Sequence, residues 1–286
     1  MVGAGFAGLT LVRGLKRVAV DVVLVDQHNY HLFTPLLYQV ASSQLDPSEI
    51  AQPIRKLVRG IRNRDFKLAR VAGIDLTAKS ITTDQGTIPY DCLVLAAGSV
   101  SNYFGNDQLK DHSLALKNLP DAMALHNWVL QRFEMATWES DPERRAQLIT
   151  FTVVGGGPTG VEFAGAHLEL IHPVLHKDFR GIDISGAQVL LVEASSQILS
   201  AFKPRLRRAA LRSLERRGVK VLLESPVRAI DSHRLTLKDG RSISTSSVIW
   251  TAAVFGAPVG GCLQLGSTNW VESRLVPAFS LPDIPR

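Results

Sequence analysis

The 286 residues include 45% hydrophobic and 20% charged side chains, a balance that is typical of a globular protein and excludes a disordered chain. The formal net charge is +6, no apolar run approaches the roughly 20 residues that span a bilayer, and no secretory signal is recognisable, so we expect a cytoplasmic protein. Cys92 and Cys262 have neither metal-ligand nor C-x-x-C spacing, so we expect no metal site and no disulfide.

The chain opens with a glycine-rich turn, MVGAGFAGL, which leads into a predicted helix. Gly3, Gly5 and Gly8 have the G-x-G-x-x-G spacing of a dinucleotide-binding turn. In such a turn the glycines allow close approach of a pyrophosphate, and the positive end of the helix stabilises it. The apolar face expected for this helix is formed by Leu9, Val12 and Leu15.

A buried strand normally precedes such a turn, but only Met1 and Val2 come before Gly3. The run at 18–26, VAVDVVLVD, predicts the second strand, and Asp26 at its end can accept hydrogen bonds from a ribose. Because central parallel strands are buried on both faces, we expect that this chain lacks the protein's true N-terminus. The alternative is that the first strand is dispensable, which would leave a slot in the core open.

A second copy of the same unit begins at 148–154, where LITFTVV predicts a buried strand. A second glycine turn, GGGPTG, follows with Gly155, Gly157 and Gly160 in the same spacing, and the next residues predict a helix. AQVLLVE at 187–193 predicts the next strand and ends at Glu193. Since 194–196 offer no arginine for a 2′-phosphate, this copy favours NADH over NADPH.

Two dinucleotide sites in one chain indicate that one nucleotide exchanges electrons with the other. We expect bound FAD at the first site to take hydride from NADH at the second. The predicted fold class is therefore α/β, with two Rossmann-like dinucleotide-binding domains.

The segment 203–217, KPRLRRAALRSLERR, carries seven basic residues and one acid and predicts an amphipathic helix. Its apolar positions are Leu206, Ala210 and Leu214. We interpret the basic face first as a solvated surface, with attraction to anionic lipid as the alternative. No aromatic interleaving or nucleic-acid motif accompanies the charge, so we expect no nucleic-acid partner.

The stretch HLFTPLLYQVA at 31–41 resembles the type II NADH:quinone dehydrogenases. The resemblance continues through YDCLVLAAGSVSNYFG (90–105), LKNLPDAMALHNWVLQRFE (116–134), TVVGGGPTGVEFAGAHLEL (152–170) and VLLVEASSQILSAF (189–202). It implies an FAD domain formed by 1–115 and 252–286, incomplete at its end, with an NADH domain at 116–251 inserted into it. It also implies truncation at both ends. The first strand is missing before Gly3, and the family's glycine-aspartate motif, quinone segment and membrane-binding region do not follow residue 286.

The same resemblance assigns residues to the FAD site. The glycine turn would carry the pyrophosphate and Asp26 the ribose. Thr34, Pro35 and Leu36 would lie along the isoalloxazine ring and exclude water. The backbone of Val71 would meet the adenine, and Ala97 stands where the family has threonine. The residues assigned to FAD are Gly3, Gly5, Phe6, Ala7, Gly8, Asp26, Thr34, Pro35, Leu36, Val71, Ala97 and Gly98.

The resemblance also assigns the second glycine turn, at 155–160, and Glu193 to the binding of NADH. Glu162 matches a family glutamate placed near nicotinamide and flavin and linked to quinone protonation, although a carboxylate there also simply favours a helix N-terminus. Ala253 replaces a glycine that is common in the family, and its methyl group is expected to crowd the nicotinamide or the flavin. The residues assigned to NADH are Gly155, Gly157, Pro158, Thr159, Gly160 and Glu193.

The resemblance implies an FAD-dependent NADH dehydrogenase that passes electrons to a membrane quinone without pumping protons. It also implies a homodimer, and attachment to the cytoplasmic face of the membrane through a region that this chain lacks. One alternative is a flavoprotein reductase with a soluble acceptor of the ferredoxin type. The other is a truncated nucleotide-binding chain without catalytic activity.

Overall fold

Two copies of a strand, turn and helix unit organise the fold, which confirms the predicted α/β class. The structure is a computed structural model that describes residues 1–179 and 186–257. Cys262 and the greater part of the expected 252–286 segment lie outside the described residues.

The helices are α1 (Phe6–Gly14), α2 (Leu37–Ala41), α3 (Pro47–Ile50), α4 (Ile54–Leu57), α5 (Asp107–Asp111), α6 (Leu119–Trp138), α7 (Pro142–Leu148), α8 (Pro158–Leu170), α9 (His176–Asp178) and α10 (Pro204–Arg217). A 3₁₀ turn covers Thr34–Leu36, and a π-helical turn covers Ile171–Leu175.

The strands are β1 (Val22–Asp26), β2 (Tyr30–Leu32), β3 (Ala51–Pro53), β4 (Arg64–Leu68), β5 (Val71–Asp75), β6 (Ser80–Thr83), β7 (Gly86–Pro89), β8 (Ser99–Ser101), β9 (Leu114–Ala115), β10 (Thr150–Val154), β11 (Gln188–Val192), β12 (Lys220–Leu222), β13 (Val227–Ile230), β14 (Arg234–Leu237), β15 (Ser242–Ser244), β16 (Ser247–Trp250) and β17 (Val254–Gly256).

The second copy is built on a parallel sheet with the strand order β12-β11-β10-β16-β9. All five residues of the central strand β10 are buried, as expected for a strand covered on both faces. Helix α8 follows the turn and buries Phe163, Ala164 and Leu168 in the main core. The predicted strand at 148–154 starts at Thr150, because Leu148 ends helix α7.

The first copy has the same layout around β1, which pairs in parallel with β4. Val2 forms parallel bridges to Val25 on one side and Leu95 on the other. Its N–H donates to Val94 O at 2.9 Å, and its carbonyl accepts from Ala96 N at 2.7 Å. Val2, in the short segment before the first turn, therefore lies between Val25 and Leu95, at the central position where the sequence analysis found no strand.

The prediction of a strand over 18–26 was wrong for its first four residues, because β1 begins at Val22. The Asn63 amide explains the difference. Its Nδ2 donates to the carbonyl oxygens of Leu15, Val18 and Val20 at 3.1, 3.1 and 2.8 Å. These bonds hold the end of α1 and the following residues in a loop, and Val18 and Val20 are exposed there.

An antiparallel sheet of three strands accompanies each copy. The first copy carries β5-β6-β7 and the second carries β13-β14-β15. In chain order, the sheet of the first copy lies between β4 and the segment Val94–Ala96, and the sheet of the second copy lies between β12 and β16. The repeat recognised from the glycine turns therefore extends to the inserted sheets.

The basic segment at 203–217 forms helix α10, as predicted. Leu214 is buried, but Leu206 is 52% exposed, so the predicted apolar side of the helix is covered at Leu214 and open to solvent at Leu206. The helix packs through its second half, where Leu214 Cδ2 lies 3.6 Å from the position of a Cβ on Gly165. In the described part of the chain, no helix is both long enough and apolar enough to cross a bilayer.

Candidate active site

The first glycine turn is fixed by backbone contacts that admit no side chain at two of its glycines. Gly3 has φ +100°, and its N–H donates to Val25 O at 2.8 Å. A Cβ on Gly3 would collide with the carbonyl of Ala96, and a Cβ on Gly8 would collide with the carbonyl of Gly3. Gly3 and Gly8 are therefore required by the turn itself.

The second turn repeats this geometry. Gly155 has φ +114°, and its N–H donates to Val192 O at 2.8 Å. A Cβ on Gly155 would lie 2.7 Å from Ala252 N, and a Cβ on Gly160 would collide with the carbonyl of Gly155. The two glycine turns are therefore equivalent in their backbone contacts as well as in their sequence.

The central glycine of each turn has a different environment. Among residues 1–179 and 186–257, a Cβ on Gly5 or Gly157 would contact nothing within 4 Å. Both glycines have ordinary negative φ values, of −70° and −73°. Both are N-cap residues of helices whose first turns lack a side-chain cap. Unpaired N–H groups and open space at a helix N-terminus fit a pyrophosphate, so both turns fit the dinucleotides predicted for them.

The other residues predicted to bind the two pyrophosphates lie in the first turns of these helices. Phe6 and Ala7 begin α1, and Pro158 and Thr159 begin α8. The Phe6 ring is exposed and makes edge contacts with the rings of His31 at 5.0 Å and Phe33 at 5.4 Å.

Each predicted ribose-binding acid is also bonded to its own glycine turn. Asp26 Oδ2 accepts from Ala4 N at 2.6 Å, and Glu193 Oε2 accepts from Gly156 N at 2.6 Å. The second oxygen of Asp26 accepts from His28 N, and that of Glu193 accepts from Ser195, both at 2.8 Å from the backbone nitrogen. The acids therefore fix the turns, a role that sequence reasoning missed.

A cleft of about 670 Å³ lies beside the second turn and is lined by Gly155, Gly157 and Glu193. Arg228 and Lys238 line the same cleft. Sequence reasoning limited to 194–196 found no basic group near Glu193, because these two cations come from the inserted sheet more than thirty residues later. The second copy thus offers both a carboxylate and cations to a nucleotide.

A cavity of about 300 Å³ joins the two copies. Thr34 and Pro35 from the first copy line it together with Pro158, Thr159 and Glu162 from the second. Leu36 is absent from its wall and packs half-buried against the main core. Thr34 and Pro35, which were predicted to lie along the isoalloxazine ring, are therefore next to the start of helix α8, which follows the predicted NADH-binding turn.

The ionisable groups of this cavity are few. Among its described lining residues only Lys117 and Glu162 carry ionisable side chains. Glu162 is largely exposed, yet the protein around it raises the pKa of its carboxyl by desolvation. Lys117 is half-buried, and burial lowers the pKa of its ammonium. Sequence reasoning missed Lys117, although it lies in the quoted motif at 116–134.

The remaining predicted residues lie at the edge of the first copy. Ala97 N lies 3.1 Å from the position of a Cβ on Gly3, and Gly98 follows with φ +74°. Val71 is half-buried at the start of β5 and pairs with Thr83. In the described ranges, no group of three His, Cys, Asp or Glu side chains is placed to hold a metal ion.

Ala253 lies where the 300 Å³ cavity and the 670 Å³ cleft meet. It lines both the 300 Å³ cavity and the 670 Å³ cleft, as do Trp250 and Thr251. Its φ is +58°, in the left-handed region that favours glycine. The departure from the family's glycine therefore has a conformational cost here.

Comparisons with known proteins agree with this geometry. The family model of the pyridine nucleotide-disulphide oxidoreductases matches residues 1–254. The type II NADH:quinone oxidoreductase Ndh of Mycobacterium tuberculosis is 37% identical over 297 residues, covering 100% of this chain and 64% of the relative. NdhA of the same organism is 38% identical over 292 residues, covering 99% and 62%. These relatives confirm the resemblance inferred from the motifs.

Solved structures show the same fold. NDH2 from Plasmodium falciparum in complex with NADH has a TM-score of 0.85 at 20% identity, covering 92% of this chain and 56% of that one. The sulfide:quinone oxidoreductase of Aquifex aeolicus has a TM-score of 0.69 at 19% identity, covering 91% and 59%.

This chain thus spans between 62% and 64% of the length of the two mycobacterial relatives. The family match, in contrast, takes in both glycine turns and the whole of the cavity between them. The chain belongs to the pyridine nucleotide-disulphide oxidoreductase family.

Proposed function

We propose that this chain binds FAD at Gly3–Gly8 and NADH at Gly155–Gly160. The open central glycines Gly5 and Gly157 support this proposal, because each leaves room for phosphate at the start of a helix. The solved NDH2 of Plasmodium falciparum, which shares the fold, is described as a complex with NADH. Asp26 and Glu193 would then each bind a ribose while they hold their turns.

One observation carries the proposed reaction: the 300 Å³ cavity is lined by the predicted flavin segment and by the start of helix α8. FAD bound there would accept hydride from NADH and pass the two electrons to a quinone. Thr34 and Pro35 would exclude water from one wall, with Leu36 behind them. Pro158 and Thr159, on the opposite wall of the cavity, would position the nicotinamide.

Glu162 is proposed to hold or move a proton at its carboxyl, since desolvation already raises its pKa before a cofactor fills the cavity. Val71, Ala97 and Gly98 are proposed to contact the adenosine and pyrophosphate parts of FAD. In this proposal residues 1–115 and 252–286 form the FAD domain, and 116–251 form the NADH domain.

Quinone is the proposed acceptor. The mycobacterial relatives are named NADH:quinone oxidoreductases, and relatives from Arabidopsis thaliana are named NAD(P)H-ubiquinone oxidoreductases. We further propose that the whole protein works as a homodimer on the cytoplasmic face of the membrane.

The test is oxidation of NADH by the FAD-loaded protein with a water-soluble quinone as acceptor, against ferredoxin as the alternative acceptor. We expect turnover with quinone and none with ferredoxin. Gly157→Ala is expected to remove NADH binding, and Glu162→Gln to slow quinone reduction while NADH binding is kept. Turnover with ferredoxin alone would contradict the proposed acceptor.

A further inference from the structure

The cavity between the two copies contains one cation and one carboxylate. Lys117 and Glu162 are its only ionisable groups among the described lining residues. The rest of the wall consists of hydroxyl, apolar and aromatic side chains, including Thr34, Thr159 and Trp250. A charge that develops on a ligand in the cavity would therefore interact mainly with the side chains of Lys117 and Glu162 among the described lining residues.

The backbone of Lys117 is held in place. Its N–H donates to Asp121 Oδ2 at 2.9 Å, and the same carboxylate accepts from Asn118 N at 3.1 Å. Asn118 in turn caps helix α6 by accepting from Asp121 N at 2.8 Å. The preceding residue, Leu116, is buried in the core. Lys117 is thus positioned by a capping box on one side and by core contacts on the other.

The ammonium of Lys117 has no partner in the described part of the chain. Within the described ranges, no carboxylate oxygen lies within 4.0 Å of this ammonium, and it forms no side-chain hydrogen bond. Asp107 and Asp121 line a neighbouring cavity of about 580 Å³, which Lys117 and Lys110 also line. A half-buried cation without a partner is costly, so its position favours an anionic ligand in the adjoining space.

Hydride transfer from NADH supplies such a charge. It delivers two electrons and one proton, so bound FAD gains one negative charge while the nicotinamide becomes positive. We propose that Lys117 faces the flavin in this cavity and stabilises the negative charge of reduced FAD, which raises the flavin's reduction potential. This inference rests on the function proposed above.

The test is the midpoint potential of bound FAD in the wild type, Lys117→Met, Lys117→Gln and Lys117→Arg. Removing the positive charge is expected to shift the equilibrium about tenfold toward oxidised flavin, or about 30 mV to more negative potential for a two-electron couple. Lys117→Arg is expected to keep the wild-type potential. Lys110→Met is the matched control, because Lys110 lines the neighbouring cavity and is not among the described residues that line this one, so its loss is expected to leave the potential unchanged.

The outcomes separate this inference from the proposed function. Wild-type potentials in both Lys117→Met and Lys117→Gln would overturn the inference alone. A wild-type chain that takes up no FAD would overturn the proposed function and this inference with it. Two neutral variants are used so that a folding defect in one does not decide the result, and thermal unfolding of each is measured alongside the potential.

Discussion

Gly98 and Ala253 occupy equivalent positions in the two nucleotide-binding units, and both have left-handed backbones with φ values of +74° and +58°. The equivalence follows from the hydrogen bonds just before them. Ala96 N donates to Val2 O at 2.7 Å in the first copy, and Thr251 N donates to Val154 O at 2.9 Å in the second. The repeat therefore demands a left-handed residue here, and only the first copy has glycine.

Ala253→Gly is expected to stabilise the protein. A left-handed backbone costs a residue with a side chain about 1–2 kcal/mol. The extra freedom of glycine in the unfolded chain offsets about 0.4–1 kcal/mol of that gain. We therefore expect the free energy of unfolding in urea to rise by up to about 1.6 kcal/mol.

Ala252→Gly is the control for this change, because Ala252 is adjacent and is not among the described residues with positive φ. It is expected to lower the free energy of unfolding. Equal effects from the two substitutions would show that backbone strain at Ala253 is not the cause.

Gly157→Ala and Gly155→Ala are expected to separate ligand binding from folding. A Cβ on Gly157 would contact no atom of the described residues within 4 Å, so the free energy of unfolding should change by less than about 1 kcal/mol while NADH affinity is lost. A Cβ on Gly155 would lie 2.7 Å from Ala252 N on a backbone with φ +114°. That variant should lose about 3 kcal/mol or more of stability.

Thermal unfolding and NADH titration of both variants check this prediction. Gly5→Ala provides the matching test of the first turn with FAD as the ligand. Undiminished NADH binding by Gly157→Ala would place the pyrophosphate elsewhere.

His167 is expected to make stability depend on pH. It is fully buried between the rings of Phe151 and Phe163, and neither ring nitrogen has a hydrogen-bond partner among the residues that the structure describes. Burial lowers the pKa of its imidazole from 6.5 to about 3. Between these values the unfolded chain binds a proton that the folded chain does not, so stability falls as the pH falls below 6.5.

The contribution of His167 to the free energy of unfolding changes by at most about 1.4 kcal/mol per pH unit. Urea unfolding of wild type and His167→Leu between pH 7 and about pH 4.5 measures it, because groups common to both proteins cancel in the difference. Parallel stability curves for the two proteins would contradict a neutral buried His167.

Asn63→Ala is expected to loosen the loop between α1 and β1. The Asn63 amide donates to three backbone carbonyls, at 2.8 to 3.1 Å. Loss of these bonds should lower the free energy of unfolding by about 1–3 kcal/mol. Asn63→Asp keeps the shape but replaces the donor by an acceptor, so it should be more destabilising than Asn63→Ala.

Features that depend on local spacing were predictable from the sequence. The two glycine turns, the helices after them, and the acids Asp26 and Glu193 at the strand ends all lie within short windows with known chemistry. The extent of β1 was not predictable, because VAVDVV is apolar apart from Asp21 and the amide of Asn63 decides where the strand begins. The exposure of Leu206 likewise depends on which half of α10 reaches α8.

The cavity itself was only partly predictable. The resemblance assigned Glu162 and the 34–36 segment, but Lys117 joins them through tertiary contacts between distant parts of the chain. The left-handed backbone at Ala253 could be inferred only by aligning the two copies beyond their glycine turns. Repeats compared over their full length would therefore have identified the strained residue.

In the proposed function, two dinucleotides meet in the cavity between the copies. The most direct measurement is the visible absorption spectrum of the purified chain after addition of FAD and removal of the excess, followed by NADH without oxygen. We predict that the chain retains the flavin band and that NADH bleaches it, with Gly157→Ala retaining the band but failing to bleach. A chain that retains no flavin, or a band that NADH leaves unchanged, would contradict the account.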